Sequence, residues 1–481
     1  MTTPLPNQLF INNQWVSPAN AERLENINPA DESVIGEVIC AGEDEVNAAV
    51  AGARRAFVGE WGKTTPWDRG RVLHKISQLV SEQIDTLADI EMRETGKPID
   101  AARGSVISTA RYFEFYAGVA DKIQGTSIPL GEGYLDFTLR EPLGVTAHIL
   151  PWNVPLNMLA RGVAPALAAG CTAVVKPAEQ TPHGALRLAE IFLQAGLPAG
   201  VINIINGLGE KVGAALAAHP GIDGLTFTGS VATGRTVMRA CAEHIKPVVL
   251  ELGGKSPILV FDDASADVAA TEAAKGIYSN TGQYCDAGSR LLINRRIHDA
   301  VVDKLITKSN AIKVGMPTDN PDMGPLISAE QHDRVMGYIS RGSNDGASLL
   351  CGGERPSDLD KGYFVRPTVF SQVSADAAIA QEEIFGPVLS VISFDDEEEA
   401  LAIANGTEFG LAAGVFTRDI DRALRLAQRL DAGTVYVNEY FIGEMASPFG
   451  GVKKSGIGRE RGLETLANYT RVKNVVIRVQ G

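Results

Sequence analysis

Two short segments carry the residue types that could do chemistry. One reads Glu251-Leu-Gly-Gly-Lys-Ser-Pro; the other ends Gly282-Gln-Tyr-Cys285. A cysteine thiolate is a strong nucleophile toward a carbonyl carbon, and the thioester it leaves must be opened by an activated water, which a nearby carboxylate can supply. Taken singly, Cys285 reads as one more buried apolar cysteine and Glu251 as a charge at a strand end. Together, each in a glycine-flanked segment that lets backbone approach a ligand, they point to acyl transfer through a thioester.

The elements that must position these groups follow an α/β rhythm. Between 144 and 251, short apolar strands at 145–150, 173–175, 201–205, 225–227 and 248–250 alternate with helical segments at 185–195 and 212–218. That pattern predicts a parallel sheet covered on both faces, with ligands beyond the carboxyl ends of its strands. A second α/β rhythm starts after Gly254: a helix over 264–278 leads into the Cys285 loop, and one over 422–429 feeds a strand at 434–437. Upstream, Asn12-Asn13 between 9–11 and 15–16 predicts a hairpin, and Val46, Ala49, Val50, Ala53 and Phe57 have amphipathic-helix spacing. Two segments fit neither unit. Tyr134, Asp136, Thr138 and Arg140 alternate with Leu135, Phe137 and Leu139, the period of a half-buried strand, and 475–479 is another apolar strand. They read as an arm that pairs with something else, or equally as strands on the edge of the same domain.

Composition narrows the function classes. The 481 residues are 45% hydrophobic and 21% charged, enough for two or three domains with real cores. A net charge of −14, spread along the chain, argues against nucleic acid or an anionic membrane as partner. The first residues have neither the basic start nor the apolar core of an export signal, and the longest apolar stretch, 163–175, is broken by Pro165, Gly170 and Thr172. Five scattered cysteines (Cys40, Cys171, Cys241, Cys285, Cys351) suit a reduced, cytoplasmic protein. With no CxxC, HExxH or Cys/His cluster, no metal is expected.

A dinucleotide site usually shows GxGxxG after a strand. The nearest match, Gly207-Leu-Gly209-Glu-Lys-Val-Gly213, has its last glycine one place late. Turn glycines explain it better, though Gly209 stays a candidate contact. Phe227-Thr228-Gly229-Ser230 is stronger, because it ends a strand and opens a helix whose free N–H groups favour phosphate; Ser230 as a plain N-cap is compatible with that role. Lys176 and Glu179, after another strand, could be a solvated ion pair or could bracket ribose hydroxyls.

With these pieces in order, the chain resembles the NAD(P)-dependent aldehyde dehydrogenase superfamily along essentially its whole length. The motifs stand in family order: Pro151-Trp152-Asn153, Lys176-Pro177-Ala178-Glu179-Gln180-Thr181-Pro182, Phe227-Thr228-Gly229-Ser230, Glu251-Leu252-Gly253-Gly254-Lys255, Gly282-Gln283-Tyr284-Cys285, Glu382-Glu383-Ile384-Phe385-Gly386-Pro387 and Ser447-Pro448-Phe449-Gly450-Gly451. The resemblance implies a Rossmann-like cofactor domain over 1–119 and 143–253, an α/β catalytic domain over 254–453, and a small β oligomerisation arm over 120–142 and 469–481, in a homodimer or homotetramer. It implies Cys285 as nucleophile, the Asn153 side chain and the Cys285 N–H as oxyanion hole, and Glu251 as activator of the hydrolytic water. It also implies Lys176 and Glu179 on the adenosine ribose, Ser230 with Gly229 on the pyrophosphate, Glu383 on the nicotinamide ribose, and Phe385 and Trp152 near the ring. NAD is expected over NADP, because a carboxylate at Glu179 suits a ribose hydroxyl better than a 2′-phosphate.

Departures from the family concern the substrate. Val154 follows Asn153 where many relatives carry an aromatic residue, and Arg161 stands where several place a tryptophan. Met158, Tyr284, Tyr440, Phe441 and Phe449 complete the expected pocket. Arg161 favours an aldehyde with a polar or acidic tail, unless it only salt-bridges a neighbour; the aromatic residues favour an aromatic aldehyde. Two rivals are an acyl-CoA-forming relative, against which Glu251 counts, and a non-catalytic structural or binding protein on the same fold, against which the intact Cys285, Glu251 and Asn153 count. Cys285→Ala is expected to abolish dehydrogenase activity, while alanine at Cys40, Cys171, Cys241 or Cys351 leaves most of it. Normal turnover by Cys285→Ala in an NADH-release assay would overturn the thioester route.

Overall fold

The computed structural model describes residues 5–479; residues 1–4 and 480–481, the extreme ends of the first domain and of the arm, lie outside the described residues. The first sheet has eight strands, in the spatial order Gly456–Ile457, Val248–Glu251, Gly224–Thr228, Val145–Ile149, Thr172–Lys176, Ile202–Ile204, Leu9–Ile11, Gln14–Val16. Its five central strands are parallel. Val145–Ile149 and Thr172–Lys176 are buried at every position, as parallel strands covered on both faces must be. The hairpin at Asn12-Asn13 closes one edge, with both asparagines at positive φ. On the other edge Gly456–Ile457 runs antiparallel beside Val248–Glu251.

Strand order sets where a ligand can go. The chain winds outward from Val145–Ile149 through two strands, then returns to add Gly224–Thr228 on the opposite side. A crevice opens at such a reversal, outside the carboxyl ends of the strands. Trp152 and Asn153 follow the first of these strands, Gly229 and Ser230 the second, and Glu251 ends the next.

The second sheet has seven strands, in the order Ser348–Cys351, Thr368–Ser371, Val388–Phe394, Arg290–Asn294, Pro257–Val260, Ala412–Phe416, Thr434–Val437, all parallel except the first. Residues 252–256 carry the chain from one sheet into the other. Helices Pro66–Glu82, Ile84–Thr95 and Ile99–Val119, together with a hairpin Arg23–Ile27/Val34–Ile39, went unread in the sequence. Pro66–Glu82 and Ile99–Val119 pack against Pro155–Ala169, which is buried at all but one position. Pro155 opens that helix and Gly170, at φ 95°, ends it, the usual placement of the two residue types.

The two unplaced strands pair with each other. Thr470–Arg478 runs antiparallel to Tyr134–Pro142 over its full length, and Ser127–Ile128 adds a third strand. The expected half-buried pattern on 134–140 is corrected: Asp136 is buried, while Leu135 is 48% and Leu139 43% exposed. Opposite them Val472, Val476 and Ile477 are exposed too. The ribbon stands away from both cores, so its alternation does not divide inside from outside within one chain. Among the described residues, no helix is long and apolar enough to cross a membrane.

Candidate active site

The Cys285 loop is held by steric and hydrogen-bond constraints. Helix Ala266–Tyr278 runs into a turn where Asn280, Thr281 and Gly282 all take positive φ (51°, 59° and 72°). Two of the three are not glycine, a conformation that persists only where surroundings over-determine it. Thr281 Oγ1 donates to the Gly324 carbonyl at 3.0 Å, Gln283 Oε1 accepts from the Ile327 N–H at 2.9 Å, and Gln283 Nε2 donates to the Asn280 carbonyl at 3.1 Å. A Cβ on Gly282 would lie 2.2 Å from the Gly386 carbonyl oxygen, and one on Gly254 2.3 Å from that of Cys285. Both positions exclude a side chain.

Asn153 joins this loop from the first sheet. Its Nδ2 donates one hydrogen to the Gln283 carbonyl at 2.8 Å, which fixes the amide plane and leaves the second N–H free to point elsewhere. The Asn280 side chain donates to the Asn153 carbonyl at 3.2 Å and locks the two segments together. The Cys285 N–H has no partner among the described residues. Cys285 itself is half-buried. Burial, then the nearby Asp286, pushes its thiol well above the ordinary range, and Arg161 opposes them.

Glu251 ends its strand almost wholly buried, with neither carboxylate oxygen hydrogen-bonded among the described residues. Arg161 Nη2 is 3.8 Å from it, while Arg161 Nε contacts Glu460 closely. Burial is the main cause that raises the Glu251 carboxyl well above the usual carboxylate range; Glu460 adds to it and Arg161 opposes it. Desolvation disfavours the charged form of a carboxyl, and a second carboxylate does the same.

One cavity of about 620 Å³ takes in Cys285, Glu251 and Asn153. Toward the first sheet it is lined by Trp152, Gly229, Ser230, Glu383 and Phe385. Ser230 caps helix Val231–Ala242 by accepting from the Thr233 N–H at 3.1 Å, so the first-turn amides point out of the helix end without intrahelical acceptors. Glu383 accepts from the Gly254 N–H at 3.1 Å, and burial pushes its carboxyl up to about 7. Phe385, at φ 61°, is held by Gln331 Nε2, which donates to its carbonyl at 2.8 Å, and its ring meets Trp152 edge-on at 5.3 Å. A helix N-terminus for phosphate, a half-buried carboxylate for hydroxyls and two aromatic rings in one cleft fit a dinucleotide. Lys176 and Glu179 form a 3.0 Å ion pair at the end of their strand, outside this cavity. Gly209 opens a π-turn over Gly209–Gly213. A Cβ on Gly213, the last residue of that turn, would stand 3.9 Å from the Lys176 stem.

On the opposite side the cavity is lined by Val154, Met158, Arg161, Tyr284, Phe441 and Phe449. Tyr440 is not among the lining residues: it is fully buried in the second core, and its hydroxyl donates to the Asp286 carbonyl at 2.8 Å. Three glycines (Gly276, Gly288, Gly414) make room for its ring, so it supports the nucleophile loop from behind. The Arg161 guanidinium lies 4.5 Å above the Phe449 ring and is committed to Glu460. Sequence reasoning missed Glu460, Arg461, Tyr436 and Tyr112. The run Gly458-Arg-Glu-Arg-Gly462 carried a signal as a charge cluster between glycines, whereas Tyr112 gave none, because an aromatic residue on an apolar helix face reads as core. Among the described residues, no group of three or more His, Cys, Asp or Glu could hold a metal ion.

Comparison with known proteins places these motifs in a family. The model described as "Aldehyde dehydrogenase family" matches residues 15–475. The chain is 46% identical over 476 residues to an aldehyde dehydrogenase of Emericella nidulans, covering 98% of this chain and 95% of that protein. It is 45% identical over 480 residues to a hydroxyisobutyraldehyde dehydrogenase of Mycolicibacterium austroafricanum, covering 99% and 95%. Among solved structures, the NAD+ complex of an aldehyde dehydrogenase from Bacillus cereus superposes with a TM-score of 0.97 at 44% identity, covering 98% of this chain and 97% of that one.

Proposed function

The chain belongs to the aldehyde dehydrogenase family and oxidises aldehydes with NAD+, and we propose that it does so through a thioester on Cys285 that Glu251-activated water hydrolyses. The observation that carries this reading is the meeting of Cys285, Glu251 and Asn153 in one cavity. The Cys285 thiol gives up its proton to solvent, the sulfur bonds to the aldehyde carbon, and the carbonyl π pair moves onto oxygen, which takes up the negative charge. The free hydrogen of Asn153 Nδ2 and the unpartnered Cys285 N–H stabilise that oxyanion. NAD+, which Ser230, Gly229, Glu383, Phe385 and Trp152 would hold in this cleft, would supply the acceptor for the hydride lost from this carbon, so that a thioester remains on Cys285. Glu251 then takes a proton from water as the water oxygen attacks the thioester carbon. The carbon–sulfur bond breaks, and the carboxylic acid departs from a regenerated Cys285.

In this reading residues 1–119 and 143–253 bind the cofactor and 254–453 carry the catalytic loop. Ser230, Gly229, Glu383, Phe385 and Trp152 hold the pyrophosphate and nicotinamide half. Lys176 and Glu179, with Gly209 on the turn beside them, hold the adenosine end. As substrate we propose an aromatic aldehyde before one with an acidic tail, because Arg161, which would have met that tail, is already engaged with Glu460.

The Glu251 role makes a kinetic prediction. Its raised carboxyl is protonated at low pH and becomes a base only as pH climbs past its shifted value. Hydrolysis of the thioester therefore rises with pH well beyond the ordinary glutamic acid range near ~4.3. Glu251→Gln is expected to release a burst of NADH and then stall, with steady-state turnover lower by about 10²–10⁴-fold. A stopped-flow trace with no burst and unchanged steady-state rate would remove Glu251 from the mechanism.

Cofactor choice follows from Glu179. A carboxylate at the adenosine ribose accepts from the 2′-hydroxyl and repels a 2′-phosphate, which Lys176, 3.0 Å from it, offsets in part. NAD+ is expected to be used with the higher kcat/KM and NADP+ more weakly; a ratio favouring NADP+ would contradict this.

For assembly we propose a homodimer or homotetramer, with the exposed apolar ribbon of Leu135, Leu139, Val472, Val476 and Ile477 covered by another subunit. Light scattering at micromolar concentration should give a multiple of the 51.1 kDa chain. A monomer would refute it.

A further inference from the structure

The helix Ile99–Val119 sends two tyrosines toward the Arg459–Gly462 segment, and only one of them is satisfied. Tyr116 donates to the Gly462 carbonyl at 3.0 Å. One turn earlier, about 5.4 Å along the helix, Tyr112 is fully buried and lines the same cavity as Cys285, and its hydroxyl has no hydrogen-bond partner among the described residues. Arg461, next to the Gly462 contact, lines that cavity as well. Its guanidinium lies 4.9 Å from the Phe449 ring and its Nε is buried without a hydrogen bond. A buried hydroxyl and a buried guanidinium N–H left unmatched are costly in an enclosed site, and both residues line the cavity that takes in Cys285. The walls between them and Cys285 are aromatic: Tyr284 and Phe441 meet edge-on at 5.6 Å, and Phe449 lies under both arginines.

We propose that the Tyr112 hydroxyl, together with the Arg461 guanidinium, binds a neutral hydroxyl or alkoxyl oxygen carried on the ring of an aromatic aldehyde, a specificity that rests on the aldehyde oxidation argued above. The aromatic walls take the ring, Cys285 takes the aldehyde carbon, and the two unmatched polar groups take the ring oxygen. Neutrality follows from the charges already facing the cavity. The Tyr112 hydroxyl and the Arg461 N–H are donors that a neutral ring oxygen can accept from, and the carboxyl groups of Glu251 and Asp286 in the same lining disfavour a further anion there.

The test compares kcat/KM with NAD+ for benzaldehyde, its 3- and 4-hydroxy and 3- and 4-methoxy derivatives, and 3- and 4-carboxybenzaldehyde, in the full-length enzyme and in Tyr112→Phe. The native enzyme should favour at least one hydroxy or methoxy compound over benzaldehyde by about tenfold, the worth of a good hydrogen bond in a closed site. In Tyr112→Phe that ratio should fall toward one, a change that a general loss of packing, which lowers both rates together, does not produce. Should Tyr112→Phe fold poorly, Arg461→Met carries the same comparison. A native ratio near one, a ratio unmoved by either substitution, or a preference for the carboxy compounds overturns this inference while leaving aldehyde oxidation intact. Failure to oxidise any aldehyde overturns the underlying reaction and this specificity with it.

Discussion

The site depends on how closely three segments of backbone can approach one another at Gly253-Gly254. A Cβ at 253 would stand 2.3 Å from the Glu383 carboxylate, and one at 254 the same distance from the Cys285 carbonyl. These residues lie in the span that carries the chain out of the first sheet, at Glu251, and into the second, at Pro257. The absence of two side chains therefore lets Glu251, the Cys285 loop and the Glu383 segment share one cleft. A larger residue at 254 would meet the Cys285 backbone and push its loop off the seam between sheets, whereas one at 253 would meet only the end of the Glu383 side chain.

Electrostatics at this seam are set by burial more than by pairing. Glu251, Glu460 and Arg161 form an enclosed triad in which one cation serves two carboxylates. Its closer contact is with Glu460, which leaves Glu251 the less stabilised of the two and raises its proton affinity. A buried carboxylate without hydrogen bonds is unfavourable as a structural element. In the proposed mechanism, where it is held beside a thioester, that same carboxylate has affinity for a water proton. Arg161 moderates this effect without removing it, which explains why a full positive charge can sit in the pocket wall and still be unavailable to a substrate.

Much of this was legible in the sequence, and the reasons differ by element. The parallel strands announced themselves because both faces are buried and the runs are continuously apolar; the hairpin at Asn12-Asn13 did so through turn chemistry. That Cys285 and Glu251 belong together could be read from their glycine-flanked segments, and the structure brings both, with Asn153, to one cavity. Residues that act through tertiary approach were not. Tyr112 sits on a helix whose apolar face gives it the look of core, and Tyr440, expected in the pocket, is core. Arg161 read as a substrate contact because its partner Glu460 lies some 300 residues further along the chain. The alternation at 134–140 was real but carried no information about inside and outside, since period-2 patterning reports faces and not what covers them.

The pairing of Tyr134–Pro142 with Thr470–Arg478 has a consequence for the chain as it is being made. Partners such as Glu141 and Arg471 are 330 residues apart, and Val248–Glu251 likewise waits for Gly456–Ile457 to close its edge. At roughly 5–20 residues per second, the ribbon strand waits between about a quarter of a minute and a minute after it is synthesised before its mate exists. Throughout that interval an apolar strand with open backbone groups is exposed in a crowded cell, so this ribbon is the segment that most needs shielding on the ribosome.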